Sequence, residues 1–99
     1  MPQFANIESV FGTSMKKSMS KEETVRALRL AIAAELETAS LYEQIAEGTA
    51  DASVREIMYD IAREEQVHVG ELLHMIEKVN KREKDAYEEG EDEAAEKVG

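Results

Sequence analysis

Residues 63–72 read REEQVHVGEL and place Glu65 and His68 three positions apart inside the apolar stripe of a long amphipathic helix. Three positions on an α-helix are close to one turn, so both side chains leave the same face. Leu or Ile would pack better at either position. A carboxylate and an imidazole kept together on a packing face need a physical reason, and that reason decides what the chain is.

The stripe around them runs Val54, Met58, Ile61, Glu65, His68, Leu72, Met75, Val79, at steps of three and four. It predicts a helix that starts at a cap on Asp51 or Ser53 and continues to about Arg82. An earlier stripe, Val25, Leu28, Ile32, Glu35, Ala39, Tyr42, Ala46, predicts another helix, and its one charged position is Glu35. SKEE at 20–23 forms a capping box from Ser20 and Glu23, and Gly48 supplies a stop. Each helix would be ~40 Å long at 1.5 Å per residue. The GTAD connection between them is short, so they must pack antiparallel as a hairpin.

Composition agrees with an all-α chain. Of 99 residues, 34% are charged and 5% aromatic, with one Pro. There is no Cys, which removes disulfides, thiolate metal sites and cysteine nucleophiles. Net charge is -10, which argues against nucleic acid or an anionic membrane as partner, and no run approaches ~18 apolar residues. Three parts follow. Residues 1–19 hold Phe4, Ile7, Phe11 and Met15 at helical spacing and read as a flexible arm or short docking segment. Residues 20–82 are the hairpin. Residues 83–99 carry eight acids against two lysines and read as a solvated, partly disordered acidic tail, with room for a short C-terminal helix. A weak cation-gathering role is the alternative for that tail.

Secondary rows of apolar residues, Leu30, Ala34, Leu41, Ile45 on the first helix and Ile57, Val69, Leu73, Ile76 on the second, leave more apolar surface than one hairpin can cover. The chain is therefore expected to associate with itself. Burying a carboxylate costs several kcal/mol unless it is protonated, paired or bound to a cation. No Lys or Arg lies on either stripe near Glu35, Glu65 and His68, so a metal is the better remedy. Oxygen and imidazole donors without sulfur suit iron or manganese, with zinc as an alternative. A di-iron carboxylate four-helix bundle takes one Glu from each of two helices and one Glu-x-x-His from each of the other two. This chain holds one Glu and one Glu-x-x-His, which is half of that set. A two-fold dimer of hairpins would supply the rest.

AELETASLYEQIA at 34–46 followed by AREEQVHVGELL at 62–73 resembles the encapsulated ferritin-like proteins, half-ferritins housed in encapsulin shells. The resemblance covers about residues 20–82. It implies that Glu35, Glu65 and His68 hold two irons across a dimer interface and oxidise ferrous ion. It implies that Tyr42 lies beside those ligands, and that Glu37 belongs to a flanking metal site through which iron enters. Ala34 stands where some members have a further acid. Members form rings, typically decamers built as pentamers of dimers, and pass oxidised iron to the lumen of an encapsulin nanocompartment in the cytoplasm.

Blander readings stand beside each residue. Tyr42 also suits a core tyrosine ~10 Å along the helix from Glu35. Glu37 and Glu64 suit solvated surface acids, and His74 a surface histidine. Gly70 costs its helix ~1 kcal/mol against Ala. Either close approach of a helix from another dimer or chance accounts for it. Ferroxidase is the leading function. A rubrerythrin-like peroxidase, a non-catalytic metal binder and a purely structural oligomer are its rivals.

Overall fold

A computed structural model describes residues 18–99, and within them the chain is all-α. Most of the expected N-terminal arm, residues 1–17, lies outside the described residues. Helix α1 spans Lys21–Gly48, α2 spans Ala52–Val79 and α3 spans Lys81–Val98. Among the described residues no helix is long and apolar enough to cross a membrane.

Each boundary has a local cause. The Ser20 hydroxyl accepts from the Glu23 amide at 3.0 Å and the Glu23 carboxylate accepts from the Ser20 amide at 2.8 Å, the reciprocal pair expected of SKEE. Of the two candidate caps for α2, Asp51 does the work, taking the amides of Ser53 and Val54 on one oxygen. Arg55 reaches back across the turn to the carbonyls of Ala46 (3.3 Å) and Thr49 (2.9 Å). It thereby satisfies acceptors that the end of α1 would leave open.

Beyond Val79 the structure departs from expectation. The second helix does not run on to Arg82. Asn80 adopts extended backbone, its amide closes α2 on Ile76, and its side chain accepts from the Glu83 amide to open α3. One residue thus ends one helix and caps the next. The acidic segment is not partly disordered: the C-terminal helix that the sequence left room for takes in nearly all of it, as the 18-residue α3. Its first turns are tied down: Arg29 on α1 donates to both oxygens of Glu83 and the Tyr87 hydroxyl donates to the same carboxylate. Lys81–Asp85 and Lys84–Glu88 pair one turn apart along its surface.

The buried core is small. Val25, Ala39, Ala46, Ala62 and Ile76 are the buried hydrophobic residues, and no charged or polar residue is buried among those described. Alanines sit at the α1–α2 contact, and α2 turns a different face to it from the one expected. Ile76, assigned to the surplus row, is fully buried, while Val54 and Met75, assigned to the inner stripe, are 39% and 40% exposed. Leu41, Ile45 and Ile57 remain exposed, as the surplus rows require. On helical projection Ile45 and Ile57 share one side of the hairpin, the side on which Glu35 and His68 also lie.

Candidate metal centre

Glu35 lies 13 positions before Gly48, and Glu65 lies 13 positions after Ala52. Two antiparallel helices counted equally from one turn set those residues opposite each other. His68, one turn beyond Glu65, lands on the same flank. The three are brought together as the spacing predicts. One donor atom from each lies within 4.8 Å of the others, and His68 Nδ1 is 3.1 Å from Glu35 Oε2. The cluster opens outward: the His68 side chain is 47% exposed and that of Glu35 26%, with Glu65 half-buried.

Electrostatics divide the three. Hydrogen bonding with Glu65, and then with His68, holds Glu35 below the usual carboxylate range. The same contact with Glu35, reinforced by desolvation, pushes Glu65 up, and the Glu64 charge adds to this. Its hydrogen bond to Glu35 raises His68, helped by the charges of Glu35, Glu65 and Glu71. In a lone chain the two adjacent carboxylates and the imidazole therefore hold protons to higher pH at Glu65 and His68 than those groups ordinarily would. His68 supplies the cation that no Lys or Arg on the stripes supplies. A divalent ion would do the same with the protons gone. Two carboxylates and one imidazole, with no sulfur, form a donor set for iron, manganese or zinc.

The other expected residues lie apart from this cluster. Tyr42 is half-buried, two turns along α1 from Glu35 on the open side. Glu37 is exposed on another face, where it lines a shallow groove with Thr38, Leu41 and Gln44. His74 is exposed. The Arg29–Glu83–Tyr87 linkage escaped sequence reading. Only Asn80 followed three residues later by Glu83, a capping pattern, marks the start of the element that carries it.

Known proteins share this fold. Residues 26–98 match the Rubrerythrin family. Among solved structures, the encapsulated ferritin domain from Pyrococcus furiosus superposes with a TM-score of 0.77 at 41% identity, over 81% of this chain and 82% of that one. The ferritin-like–encapsulin shell fusion protein of the same organism is 50% identical over 60 residues, 61% of this chain and 17% of the relative. The encapsulin nanocompartment cargo protein EncB of Myxococcus xanthus is 34% identical over 65 residues, 66% of this chain. The matched segment covers 41% of that relative, so the match takes in less than half the length of each of these two curated proteins. A helical hairpin with Glu35 facing Glu65-x-x-His68, matched along most of its length, makes this chain a member of the rubrerythrin family and, within it, of the encapsulated ferritin-like proteins.

Proposed function

We propose that the chain oxidises ferrous to ferric ion with dioxygen at a two-iron carboxylate site, completed when a second copy meets the open side of the hairpin. The observation that carries this is the convergence of Glu35, Glu65 and His68 on an outward-facing flank. One chain offers three donors, too few for two ions, and the exposed Ile45, Ile57 and Met75 on the same side of the hairpin need cover. Two copies would present four carboxylates, whose charge of -4 two ferrous ions cancel.

Within that site the chain's own residues have separable duties. Glu35 and Glu65 bind as carboxylates and give up the proton they share. His68 binds as a neutral imidazole, so it must release its proton too. The surrounding Ile, Leu and Met side chains limit water. Each ferrous ion gives one electron, and two electrons with two protons reduce dioxygen to hydrogen peroxide. Tyr42 would stand beside the ligands, reaching them more readily from the second copy, and Glu37 would serve iron entry.

The names of the relatives support an encapsulin setting. We place the chain with an encapsulin shell, inside a cytoplasmic nanocompartment, delivering ferric iron for mineral storage. Anaerobic addition of Fe(II) followed by air tests the activity. Oxygen uptake with a rise in near-ultraviolet absorbance is expected, both lost in Glu65→Ala. Metal bound without oxygen uptake would reduce the chain to a metal binder. The family match favours a second reading, a di-iron peroxidase, although this sequence has no cysteine for a rubredoxin-type relay. Sustained turnover of hydrogen peroxide with an external reductant would select it.

A further inference from the structure

Glu71 lies one turn beyond His68 on α2, and both residues are exposed. Helical side chains lean toward the N-terminus, so Glu71 lies back over the turn that His68 occupies. Glu64, one turn before His68, leans away from it. The charges follow this placement. His68, raised first by its bond to Glu35, is raised further by the charge of Glu71, whereas the Glu64 charge acts on Glu65. Glu71 takes part in no hydrogen bond or ion pair among the described residues, so its carboxylate is free to accept.

The two nitrogens of the His68 ring have different neighbours. Nδ1 faces the cluster, 3.1 Å from Glu35 Oε2. Nε2 has no hydrogen-bond partner among the described residues. A neutral imidazole that offers one nitrogen to a metal carries its proton on the other. An acceptor for that N–H fixes both the tautomer and the plane of the ring. Backbone carbonyls in the middle of α2 are spent on the helix itself, so the acceptor must be a side chain or water.

We propose that Glu71 is the outer partner of His68: its carboxylate accepts the Nε2–H, so that Nδ1, the nitrogen beside Glu35, is the one presented to metal. The inference rests on the metal reading of Glu35, Glu65 and His68 given above. Glu71 is then a positioning residue, which acts through the imidazole and is not itself a ligand. An exposed glutamate without a partner reaches Nε2 by rotating its own side-chain bonds, with no movement of the helix. The two acids that flank His68 on α2 thus differ in duty. Glu64 contributes charge, and Glu71 contributes direction.

The test uses Zn(II), which undergoes no oxidation, titrated into the full chain against a chromophoric chelator. Glu71→Ala should weaken zinc binding about tenfold or more, the effect of losing an outer partner of a metal ligand. Glu71→Gln, whose amide oxygen still accepts, should lose less. Glu64→Ala removes the same charge from the same flank and should also lose less. Equal losses in Glu64→Ala and Glu71→Ala, or in Glu71→Gln and Glu71→Ala, mean that the acid acts by charge alone and overturn the proposal. The chain has two histidines, so 15N-histidine labelling gives a readable spectrum, and His74→Asn assigns it. With zinc bound, His68 should carry its proton on Nε2, and that proton should exchange with water faster in Glu71→Ala than in wild type. Zinc on Nε2, or an exchange rate indifferent to Glu71, overturns the proposal. Zinc binding that needs His68 and ignores Glu71 strikes the proposal alone. A wild type that binds no zinc, or binding unchanged in His68→Ala, strikes the metal reading and the proposal with it.

Discussion

Glu35 raises both His68 and Glu65, so each keeps its proton to higher pH than usual in the free chain and a metal competes with that proton. Metal affinity should therefore rise with pH from the acid side, and binding at about pH 6 should release protons. Titration calorimetry in two buffers of different ionisation enthalpy reads this directly, and equal heats would refute it. In the absence of metal the sign reverses. A histidine whose folded value is raised stabilises fully below its unfolded value of 6.5, and that contribution fades as pH climbs through the folded one. Apo protein should thus lose stability on passing from mildly acid to alkaline solution, while metal-loaded protein should not. Removing a ligand has harsher consequences. Glu35→Ala, Glu65→Ala or His68→Ala should each slow Fe(II) oxidation roughly a hundredfold or more, since losing even an outer hydrogen-bond partner of a metal ligand costs ~10–100-fold. Helix content should stay near wild type, as none of the three is buried core.

The elements show what a sequence discloses and what it withholds. Ser20 with Glu23 and Asp51 were legible because capping is a contract between residues two or three apart, whereas Gly48, read as the stop, is the last helical residue and Thr49 closes the helix on Ile45. The Glu35–Glu65–His68 meeting was legible because helical periodicity and a short turn leave one arrangement. Asn80 was passed over because Val79 prolongs the apolar period and KREK continues a good helix. The fate of residues 83–99 hangs on Arg29, 54 positions away from Glu83, and composition cannot see that far. The face that α2 buries, with Ala62 and Ile76, was not legible, because Ala62 is too weakly apolar to mark a stripe until two helices touch. Predictions at this scale follow. Glu83 accepts from Arg29 and Tyr87, which holds its carboxyl below 4.5. A depressed carboxyl gives its stabilisation above the unfolded value and loses it as pH falls through the folded one. Acid below about pH 4.5 should free α3 before the hairpin melts. Hydrogen exchange across residues 81–98 should report this, and Glu83→Gln should already show it at neutral pH. At the turn, Arg55→Ala should cost about 1 kcal/mol in thermal or urea unfolding, through carbonyls left to water.

At the scale of the molecule, one chain is an incomplete object. Its helices extend over 47 × 43 × 17 Å with a handful of buried side chains, so little apolar surface is removed from water until copies meet. If metal binds only where two chains converge, it draws the population toward the assembled state by mass action. Fe(II) or Co(II) under anaerobic conditions should raise the dimer fraction, and a chelator at neutral pH should lower it. Native mass spectrometry would show both, and an unchanged distribution with metal demonstrably bound would falsify the link. The equal count of 13 residues from the turn to each glutamate has its own consequence. The turn is the zero of a ruler with two arms, and the metal ligands are marks at the same graduation. Residues can be added or lost beyond the marks, toward Lys21 or toward Val79, without moving them. Between mark and zero, a four-residue deletion in one arm slides Glu35 past Glu65 by ~6 Å, and only a matching deletion in the other arm brings them level again.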